Sequence, residues 1–266
     1  MTEILDAETL DAKQHERLVL IWQRCCAALQ TVVTDLKITQ DELKLAGQYL
    51  NRLGQSGMSP NLLAVGLAMT SMRATEAAAG TPPSLEGPYY VRDAPLRKDG
   101  VLWEKPPGPE SRRLELSGVV RDAATGRALD KVEIDLWQAD EWGIYDHRGF
   151  HLRGRVLTDA EGRYRVHTLV PKDYAEHDHD PIGELFRAMR RHNRRAAHIH
   201  LKIRRSGYRT LTTQLFMPDG AYLGDDYVEG AVVPELIVKF AEPPADGGRV
   251  AATFDFALVP DEAPRS

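Results

Sequence analysis

Cysteine is scarce in this sequence. The 266-residue chain contains only Cys25 and Cys26, which are adjacent in a stretch with helical periodicity. Neighbouring helix positions do not face each other, so no disulfide is expected between them, and a cysteine-based metal site is excluded. The first residues are acidic and polar and do not resemble a secretory signal. Both observations predict a protein of the reducing cytoplasm.

The sequence also lacks long apolar runs and an excess of one charge. No run of about 18 residues is apolar throughout, so no membrane-spanning helix is predicted. The chain has 34 Lys and Arg against 39 Asp and Glu, a net charge of −5. This balance gives no electrostatic reason to expect nucleic acid or an anionic membrane as a partner. The length allows a sizeable core, in one large domain or in two unequal ones.

The N-terminal part of the chain has the apolar periodicity of helices. The first helix is indicated by apolar residues at helical spacing, namely Leu18, Ile21, Trp22, Cys25, Leu29, Val32 and Val33. A second helix is predicted from Thr39 as N-cap, with Glu42 at capping-box distance and Gly54 at its end. Ser59 before Pro60 is a favoured N-cap and N1 pair, and it predicts the start of a third helix.

The pattern changes near residue 80. Residues 81–111 are rich in proline, as in GTPPSLEGPYY and EKPPGPES, which predicts an extended connection. From residue 112 the apolar period becomes two, and the turn sequences DAEGR and RSGYR separate the runs. The clearest alternation is that of Val132, Ile134 and Leu136 with Lys131, Glu133 and Asp135. One short helix is predicted in PIGELFRAMRRH. The sequence therefore predicts an α+β fold, in which a helical N-terminal domain (1–80) and the connection precede a mostly antiparallel β-sandwich (112–266).

A histidine pair lies in the predicted strand RRAAHIHLKI, residues 194–203. Residues i and i+2 of a strand point to the same face, so His198 and His200 would lie side by side. The opposite face would contribute to a core through Ala197, Ile199, Leu201 and Ile203. Imidazole is the commonest protein metal ligand, although a strand histidine is more often a surface or hydrogen-bonded residue. A metal site built on this pair needs further ligands from elsewhere.

Carboxylates and tyrosines are the candidates for these further ligands. The acidic sequence EHDHD at 176–180 lies in a polar loop, where a cluster of charges is usually solvated. Tyr145 in WQADEWGIYD and Tyr174 in LVPKDY each follow a predicted strand. A phenol has a pKa of about 10, so only a strongly Lewis-acidic ion holds it as phenolate at neutral pH. Among common biological metals this favours ferric iron over zinc or magnesium.

Taken together, these motifs resemble those of the intradiol ring-cleavage dioxygenases, specifically the catechol 1,2-dioxygenase group. The resemblance covers nearly the whole chain and is strongest between LEGPYY and GDDYV. It implies one Fe³⁺ per subunit, with Tyr145 as the equatorial ligand and Tyr174 as the axial ligand. His198 and His200 would be the other two ligands. His198 follows Tyr174 by 24 residues, which is the spacing of the family.

The resemblance also implies a reaction and the residues around the metal. The substrates would be a small aromatic diol and O₂, and the ring would open between the two hydroxylated carbons to give a cis,cis-muconate. Tyr174 would take a substrate proton, and Arg195 and Gln214 would stabilise negative charge on the ring. The residues implied to line the ring pocket are Leu63, Leu85, Pro88, Tyr89, Tyr227 and Val228.

A homodimer is a further implication of the resemblance. The N-terminal helices would form the interface, and a phospholipid would lie in a tunnel there. The apolar stripe from Leu18 to Val33 is compatible with such an interface. Burial of this stripe against the chain's own sandwich would explain it equally well.

Several departures from the family pattern concern the substrate. The sequence RAA at 195–197 replaces the family's Arg-Pro-Ala, the segment between Tyr145 and Tyr174 is short, and KDYAEHDHD replaces a sequence rich in Gly and Pro. Leu63 would place an apolar wall where hydroxyquinol and chlorocatechol enzymes tend to have an aspartate. A third hydroxyl or a carboxylate would lose its polar partners at such a wall. Catechol, with or without small substituents, is therefore expected over hydroxyquinol and protocatechuate.

Two other classes of protein fit parts of the sequence. LTDAEGRYRVHTLVP resembles the turn sequence of transthyretin-like β-sandwich modules, which are not enzymes. Such a module has no need of Tyr174 and the histidine pair in register. A zinc- or ferrous-binding cupin-like enzyme shares His-x-His but expects a carboxylate and a further histidine. Within ring-cleavage chemistry, hydroxyquinol or chlorocatechol is the alternative substrate.

Overall fold

The computed structural model describes residues 10–75, 79–109, 111–241 and 249–261. The chain divides into two compact units, Met1–Gly57 and Met58–Ser266. The first unit is therefore shorter than the predicted helical domain, because the third helix belongs to the second unit. The functional roles predicted for residues 1–80 and 112–266 stay predictions.

Two helices make up the described part of the first unit, α1 (Ala12–Leu36) and α2 (Gln40–Gln55). The capping box predicted for α2 is confirmed. The backbone N–H of Glu42 donates to the Thr39 hydroxyl at 3.3 Å, and the Glu42 carboxylate accepts from the Thr39 N–H at 2.7 Å. The predicted end at Gly54 is wrong, since the helix continues to Gln55. The left-handed residue that follows the helix is Gly57, with a φ of +73°.

The apolar residues of α1 are exposed. No residue of this helix is buried, and the side chains of Trp22 and Leu29 are 69% and 64% exposed. Further exposed apolar residues of α1 are Leu18, Val19, Leu20, Ile21, Val32 and Leu36. The apolar stripe predicted from Leu18 to Val33 is therefore largely open to solvent in the single chain.

The second unit begins with helix α3 (Ser59–Thr75). The backbone N–H of Leu62 donates to the carbonyl of Met58 at 3.1 Å, so the N-cap position is Met58, one residue before the predicted N-cap at Ser59. The short helix predicted before the histidine strand is confirmed as α4 (Pro181–Ala188). Its N-cap is Asp180, whose carboxylate accepts from two backbone N–H groups of the first turn.

Two four-stranded sheets share one apolar core. The first sheet consists of β1 (Arg113–Asp122), β4 (Arg163–Leu169), β9 (Val250–Thr253) and β10 (Phe256–Leu258), numbered in chain order. The second has the order β3-β2-β7-β8 and consists of β2 (Glu133–Gln138), β3 (Arg153–Leu157), β7 (His198–Arg204) and β8 (Leu211–Phe216). A ribbon pairs β5 (Tyr174–Ala175) with β6 (Arg194–Arg195), and Pro234–Leu236 forms a 3₁₀ turn. All pairs are antiparallel except those of β1 with β9 and β10. The predicted α+β fold class, with its mostly antiparallel sandwich, is confirmed.

The core between the sheets takes one face of β7. Ile199, Leu201 and Ile203 are fully buried in it, as the strand periodicity predicts. The polar residues of the neighbouring strand β2 are also covered, Glu133 partly and Asp135 fully. Asp135 is 2% exposed and accepts a hydrogen bond from the hydroxyl of Tyr90 at 2.9 Å. A central strand of a sheet that is covered on both faces does not keep an exposed side.

The segment 81–111 covers the outer face of the second sheet at Asp135. Its described residues contain no helix or multi-residue strand, and isolated bridges join Leu96 to Arg155 and Val101 to His167. The predicted extended connection therefore runs over both sheets, and it carries Tyr90 across the outer face of the second one. Among the helices described here, none is long and apolar enough to cross a membrane.

Candidate active site

The structure brings together the four side chains predicted as metal ligands. The rings of Tyr145 and Tyr174 meet edge to face with centroids 5.3 Å apart, and those of His198 and His200 lie 4.5 Å apart. Tyr174 lies 5.7 Å from His198, and Tyr145 lies 6.2 Å from His200. All four are buried. These residues are called the four-ring cluster below.

Strand pairing fixes the two histidines. On β7, His200 pairs with Trp137 of β2 and with Gln214 of β8, and the Trp137 ring stacks on it at 4.9 Å. Nδ1 of His198 lies against the carbonyl of Ala196. A proton on that nitrogen donates to the carbonyl and leaves Nε2 with a free lone pair, which is the usual arrangement of a metal-ligating histidine. The two Nε2 atoms lie 2.9 Å apart, so a proton or a metal cation must lie at this point.

A tight turn after β2 positions Tyr145. The carboxylate of Asp140 accepts hydrogen bonds from two backbone N–H groups of the turn, at 2.8 and 2.9 Å. Gly143 has a φ of +82°, and a Cβ at this position would lie 2.8 Å from the carbonyl oxygen of Asp173. Only glycine combines this φ with so close an approach. Gly143, two residues before Tyr145, therefore lets the turn approach the segment that carries Tyr174.

The ribbon of β5 and β6 places Tyr174 opposite Arg195, which lies in a buried ion pair. Nε of Arg195 donates to both carboxylate oxygens of Asp226, at 2.9 and 3.1 Å, and both side chains are 3% exposed. Asp226 also accepts from the backbone N–H groups of Ala196 and Val228. The Asp226 carboxylate thus fixes the Arg195 guanidinium beside the four-ring cluster, and both of its oxygens accept hydrogen bonds.

Gln214 connects this ion pair to the connection segment. Its Oε1 accepts from Nη2 of Arg195 at 3.0 Å, and its Nε2 donates to the carbonyl of Leu85 at 2.8 Å. Both groups of the amide are therefore engaged. Arg195 and Gln214 are neighbours in the structure, and the roles predicted for them stay predictions.

The donor atoms of the four-ring cluster fit a metal cation. The hydroxyls of Tyr145 and Tyr174 are buried, and in the described residues neither has a hydrogen-bond partner. The two phenols are close enough to affect each other's pKa, but their geometry is not that of a hydrogen bond. Buried polar groups are almost always hydrogen-bonded, so two unpaired hydroxyls at one point call for a bound partner.

Burial also sets the charge of the cluster. It raises the pKa of Tyr145 and Tyr174 well above the usual range and lowers the pKa of His198 and His200 well below it. All four groups are therefore neutral until a cation is bound. Across the described ranges, no group of three or more His, Cys, Asp and Glu side chains could hold a metal ion. The two tyrosines are needed to complete such a set.

A cavity of about 330 Å³ adjoins the four-ring cluster. Gly87 belongs to both, because it lines the cavity and a Cβ on it would lie 3.3 Å from Cε1 of His200. The predicted pocket residues that line this cavity are Leu85, Pro88, Tyr227 and Val228, together with Arg195. The cavity is large enough for a single aromatic ring beside the metal-ligand candidates.

Two predicted pocket residues do not line this cavity. Tyr89 is not among the lining residues, and its ring stacks on that of Tyr145 at 4.3 Å. Leu63 is 60% exposed, so the apolar wall predicted there is wrong. Helix α3 instead contributes the wall residues Pro60, Asn61, Ala64 and Val65. Their i, i+3, i+4 spacing leaves Leu63 on another face of the helix.

Burial beside the site was not predicted for three charged residues, Arg153, Glu176 and Asp226. The Arg153 side chain is 1% exposed, donates to the carbonyl of Tyr89 and lies 5.8 Å from the Tyr145 ring. Glu176 is 9% exposed, so the prediction of a solvated EHDHD loop is wrong for this residue. The only sequence signal for Glu176 is its position two residues after a predicted ligand.

Comparison with known proteins identifies the family. Residues 85–260 match the Dioxygenase family model. The chain is 33% identical to catechol 1,2-dioxygenase of Acinetobacter baylyi, over 92% of this chain and 86% of that one. It is 31% identical to hydroxyquinol 1,2-dioxygenase of a Rhizobium species, over 88% of this chain and 84% of the relative. The crystal structure of 3-chlorocatechol 1,2-dioxygenase from Rhodococcus opacus matches with a TM-score of 0.81 and 30% identity, over 92% of this chain and 99% of that one. The chain therefore belongs to the intradiol ring-cleavage dioxygenases, in the group of the catechol 1,2-dioxygenases.

Proposed function

We propose that this protein is an iron-dependent dioxygenase that opens a catechol ring between its two hydroxylated carbons and inserts both atoms of O₂, giving a cis,cis-muconate. One observation carries the proposal. Two buried phenols without hydrogen-bond partners meet two histidines whose Nε2 atoms point at each other. Membership of the dioxygenase family excludes the transthyretin-like module and the cupin-like enzyme as alternatives.

One Fe³⁺ per chain is proposed, held by Tyr145, Tyr174, His198 and His200. Two phenolates would neutralise two of its three charges, and two neutral imidazoles would complete the set. Zinc and magnesium are poorer candidates, because a phenol whose pKa is raised by burial needs a strong Lewis acid to ionise it. When bound, the iron would activate the aromatic diol toward O₂.

The protein's own groups would orient the diol and handle its protons. Tyr174 is proposed to take a proton from a substrate hydroxyl at its phenol oxygen. Arg195 would stabilise negative charge on the deprotonated ring, because Asp226 holds its guanidinium in place before the substrate arrives. Gln214 would position Arg195 through the hydrogen bond at its Oε1. The burial of all these groups would keep bulk water from the reacting ring.

The proposed substrate class is defined by the catechol core. Relatives of similar identity are named for catechol, for hydroxyquinol and for 3-chlorocatechol. Overall similarity therefore does not choose between these three. The adjacent pair of ring hydroxyls is common to all of them.

Labelled oxygen tests the reaction. Iron-loaded protein turning over catechol under ¹⁸O₂ is expected to yield an acyclic dicarboxylic acid with one labelled atom in each carboxyl group. The reason is that both oxygen atoms enter between the hydroxylated carbons. Mass spectrometry of the product counts the labelled atoms. An aldehyde product would show cleavage beside the diol, and either that result or no turnover by protein with a full complement of iron would contradict the proposal.

A homodimer that holds a phospholipid is proposed on the exposed apolar face of α1. Residues such as Trp22 and Leu29 would leave water in that assembly, which is favourable for apolar surface. Sedimentation of the purified protein should give twice the chain mass of 29.7 kDa, and a clean monomer would rule out the dimer. Lipid extraction followed by mass spectrometry tests the phospholipid separately.

A further inference from the structure

Glu176 is a buried acid that the proposed reaction does not use. It lies at the end of β5 and lines the cavity, with its side chain more than nine-tenths buried. Its Oε2 accepts a hydrogen bond from the hydroxyl of Tyr227. Its Oε1 is buried and has no hydrogen-bond partner in the part of the chain that the structure describes. Carboxylate oxygens are strong acceptors, and a buried one without a donor is unfavourable.

Among the described residues, no nearby charged group donates a hydrogen bond to Oε1 of Glu176. Arg195 lines the same cavity, but its Nε is engaged with both oxygens of Asp226. His177, the next residue in the chain, contacts the carboxylate of Asp180 instead. One guanidinium therefore lies among two carboxylates, and the surplus charge beside the cavity is negative.

The rest of the cavity wall is largely small or apolar. Its members include Ala64, Val65, Leu85, Pro88 and Val228. An aromatic ring placed in this cavity would contact apolar side chains over much of its surface. The polar residues of the wall are Asn61, Glu176, His177, Arg195 and Tyr227. Among their buried side-chain atoms in the described residues, Oε1 of Glu176 is the acceptor without a hydrogen-bond donor.

We infer that the cavity takes a catechol ring with a third hydroxyl, which donates its hydrogen to Oε1 of Glu176. This inference rests on the proposed ring-cleavage function and narrows its substrate class to benzenetriols such as hydroxyquinol. A hydroxyl adds one heavy atom to the ring and supplies one donor for one unsatisfied oxygen. A methyl group would leave Oε1 unpaired, and the carboxylate of protocatechuate would meet a like charge. The expectation that catechol is preferred depended on an apolar wall at Leu63, and Leu63 does not line the cavity.

Three substrates and three variants test the inference. Hydroxyquinol carries the donor, catechol lacks it, and 4-methoxycatechol keeps the oxygen without its hydrogen. Values of kcat/KM are measured for wild type, Glu176→Gln, Glu176→Met and the control Glu161→Met, which changes an exposed acid in the turn between β3 and β4. Binding of each compound to the iron-loaded proteins is measured by calorimetry without O₂, so that affinity is read without turnover.

Wild type is expected to prefer hydroxyquinol over both other compounds by at least about tenfold, because a site built for a hydroxyl discriminates against its absence. Glu176→Met should reduce this ratio to near one, in both kcat/KM and affinity, because the loss is larger for hydroxyquinol than for catechol. Glu161→Met should leave the ratio unchanged. If Glu176→Met does not fold, the test rests on Glu176→Gln, which keeps a hydrogen-bond partner for Tyr227. This variant should still reduce the ratio at least threefold, which is roughly the effect of replacing a charged acceptor by a neutral one.

A wild-type enzyme that cleaves catechol at least as well as hydroxyquinol would overturn the inference and leave ring cleavage intact. The inference is also overturned if the Glu176 variants keep the wild-type ratio of kcat/KM for hydroxyquinol over the other two compounds. A parallel loss for all three compounds in those variants would show that Glu176 only supports the fold, which also overturns the inference. Failure of wild type with every compound would instead contradict the proposed function.

Discussion

The Tyr145→Phe variant is expected to bind no ferric iron and to lose ring-cleavage activity by more than about a hundredfold. Removing an outer partner of a metal ligand typically costs about 10–100-fold, and a direct ligand costs more. The substitution deletes one oxygen and keeps the ring that stacks on Tyr89 at 4.3 Å, so the fold is retained. In iron-free protein the variant should be at least as stable as wild type, because it removes a buried hydroxyl without a partner.

A second buried tyrosine provides the matched control. The hydroxyl of Tyr164 donates to the carbonyl of Phe254 at 2.7 Å in the first sheet, away from the four-ring cluster. Tyr164→Phe should keep its iron and lose about 1 kcal/mol of unfolding free energy. Metal analysis gives the iron per chain, and urea unfolding of the iron-free proteins gives their stability. One iron per chain in purified Tyr145→Phe would remove Tyr145 from the ligand set.

The Asp226→Ala variant is expected to lose about 3–5 kcal/mol of unfolding free energy, because it leaves the buried guanidinium of Arg195 without its counter-ion. Both side chains of this pair are 3% exposed, so solvent does not screen the charge that remains. The backbone N–H groups of Ala196 and Val228 lose their acceptor in the same step. Catalysis should fall as well, since the proposed stabilising charge is no longer fixed beside the ring.

The neighbouring residue separates this effect from a general loss of acidic charge. Asp225 is 69% exposed, and its ion pairs within the described residues are with the surface residues Arg191 and His192. Asp225→Ala should change the unfolding free energy by less than about 1 kcal/mol, which is typical of exposed ion pairs. Urea denaturation of both variants gives the comparison. Equal stability of the two would mean that the Arg195 ion pair contributes nothing beyond a surface contact.

The histidine strand and the α2 capping box were predictable because the information for each is local. Alternation of Ile199 and Leu201 with the histidines fixes which residues share a face, whatever strands lie beside them. Thr39 and Glu42 satisfy each other's backbone within a single turn. Neither feature depends on the rest of the chain.

The face of α3 was not predictable from its composition. Apolar residues occur all round this helix, so the pattern does not distinguish Leu63 from Ala64 or Val65. Successive helix residues are rotated by about 100°, and an error of one position therefore replaces a wall residue by an exposed one. The ends of helices carry a similar uncertainty, as Gly54 and Ser59 illustrate.

The buried acids of the site depend on contacts that no local pattern encodes. Asp225 and Asp226 are adjacent and identical, yet one side chain is 69% exposed and the other 3%. The difference arises because Asp226 faces Arg195, which lies 31 residues earlier and is placed by the β5–β6 ribbon. The convergence of two tyrosines with two histidines was likewise expected from the family resemblance and not from spacing alone.

The pairing of β1 imposes an order on the growth of the chain at the ribosome. Val120 pairs with Phe256, and Leu114 pairs with Val250, so two neighbours of this strand are translated long after it. Until then, among the strands that the structure describes, β4 is the one available to pair with the nascent β1, whose apolar side chains are prone to aggregation while they are exposed. Tyr145, Tyr174 and both histidines are all translated before β9. The segments that carry the proposed iron ligands are therefore complete before the opposite sheet can close over the core.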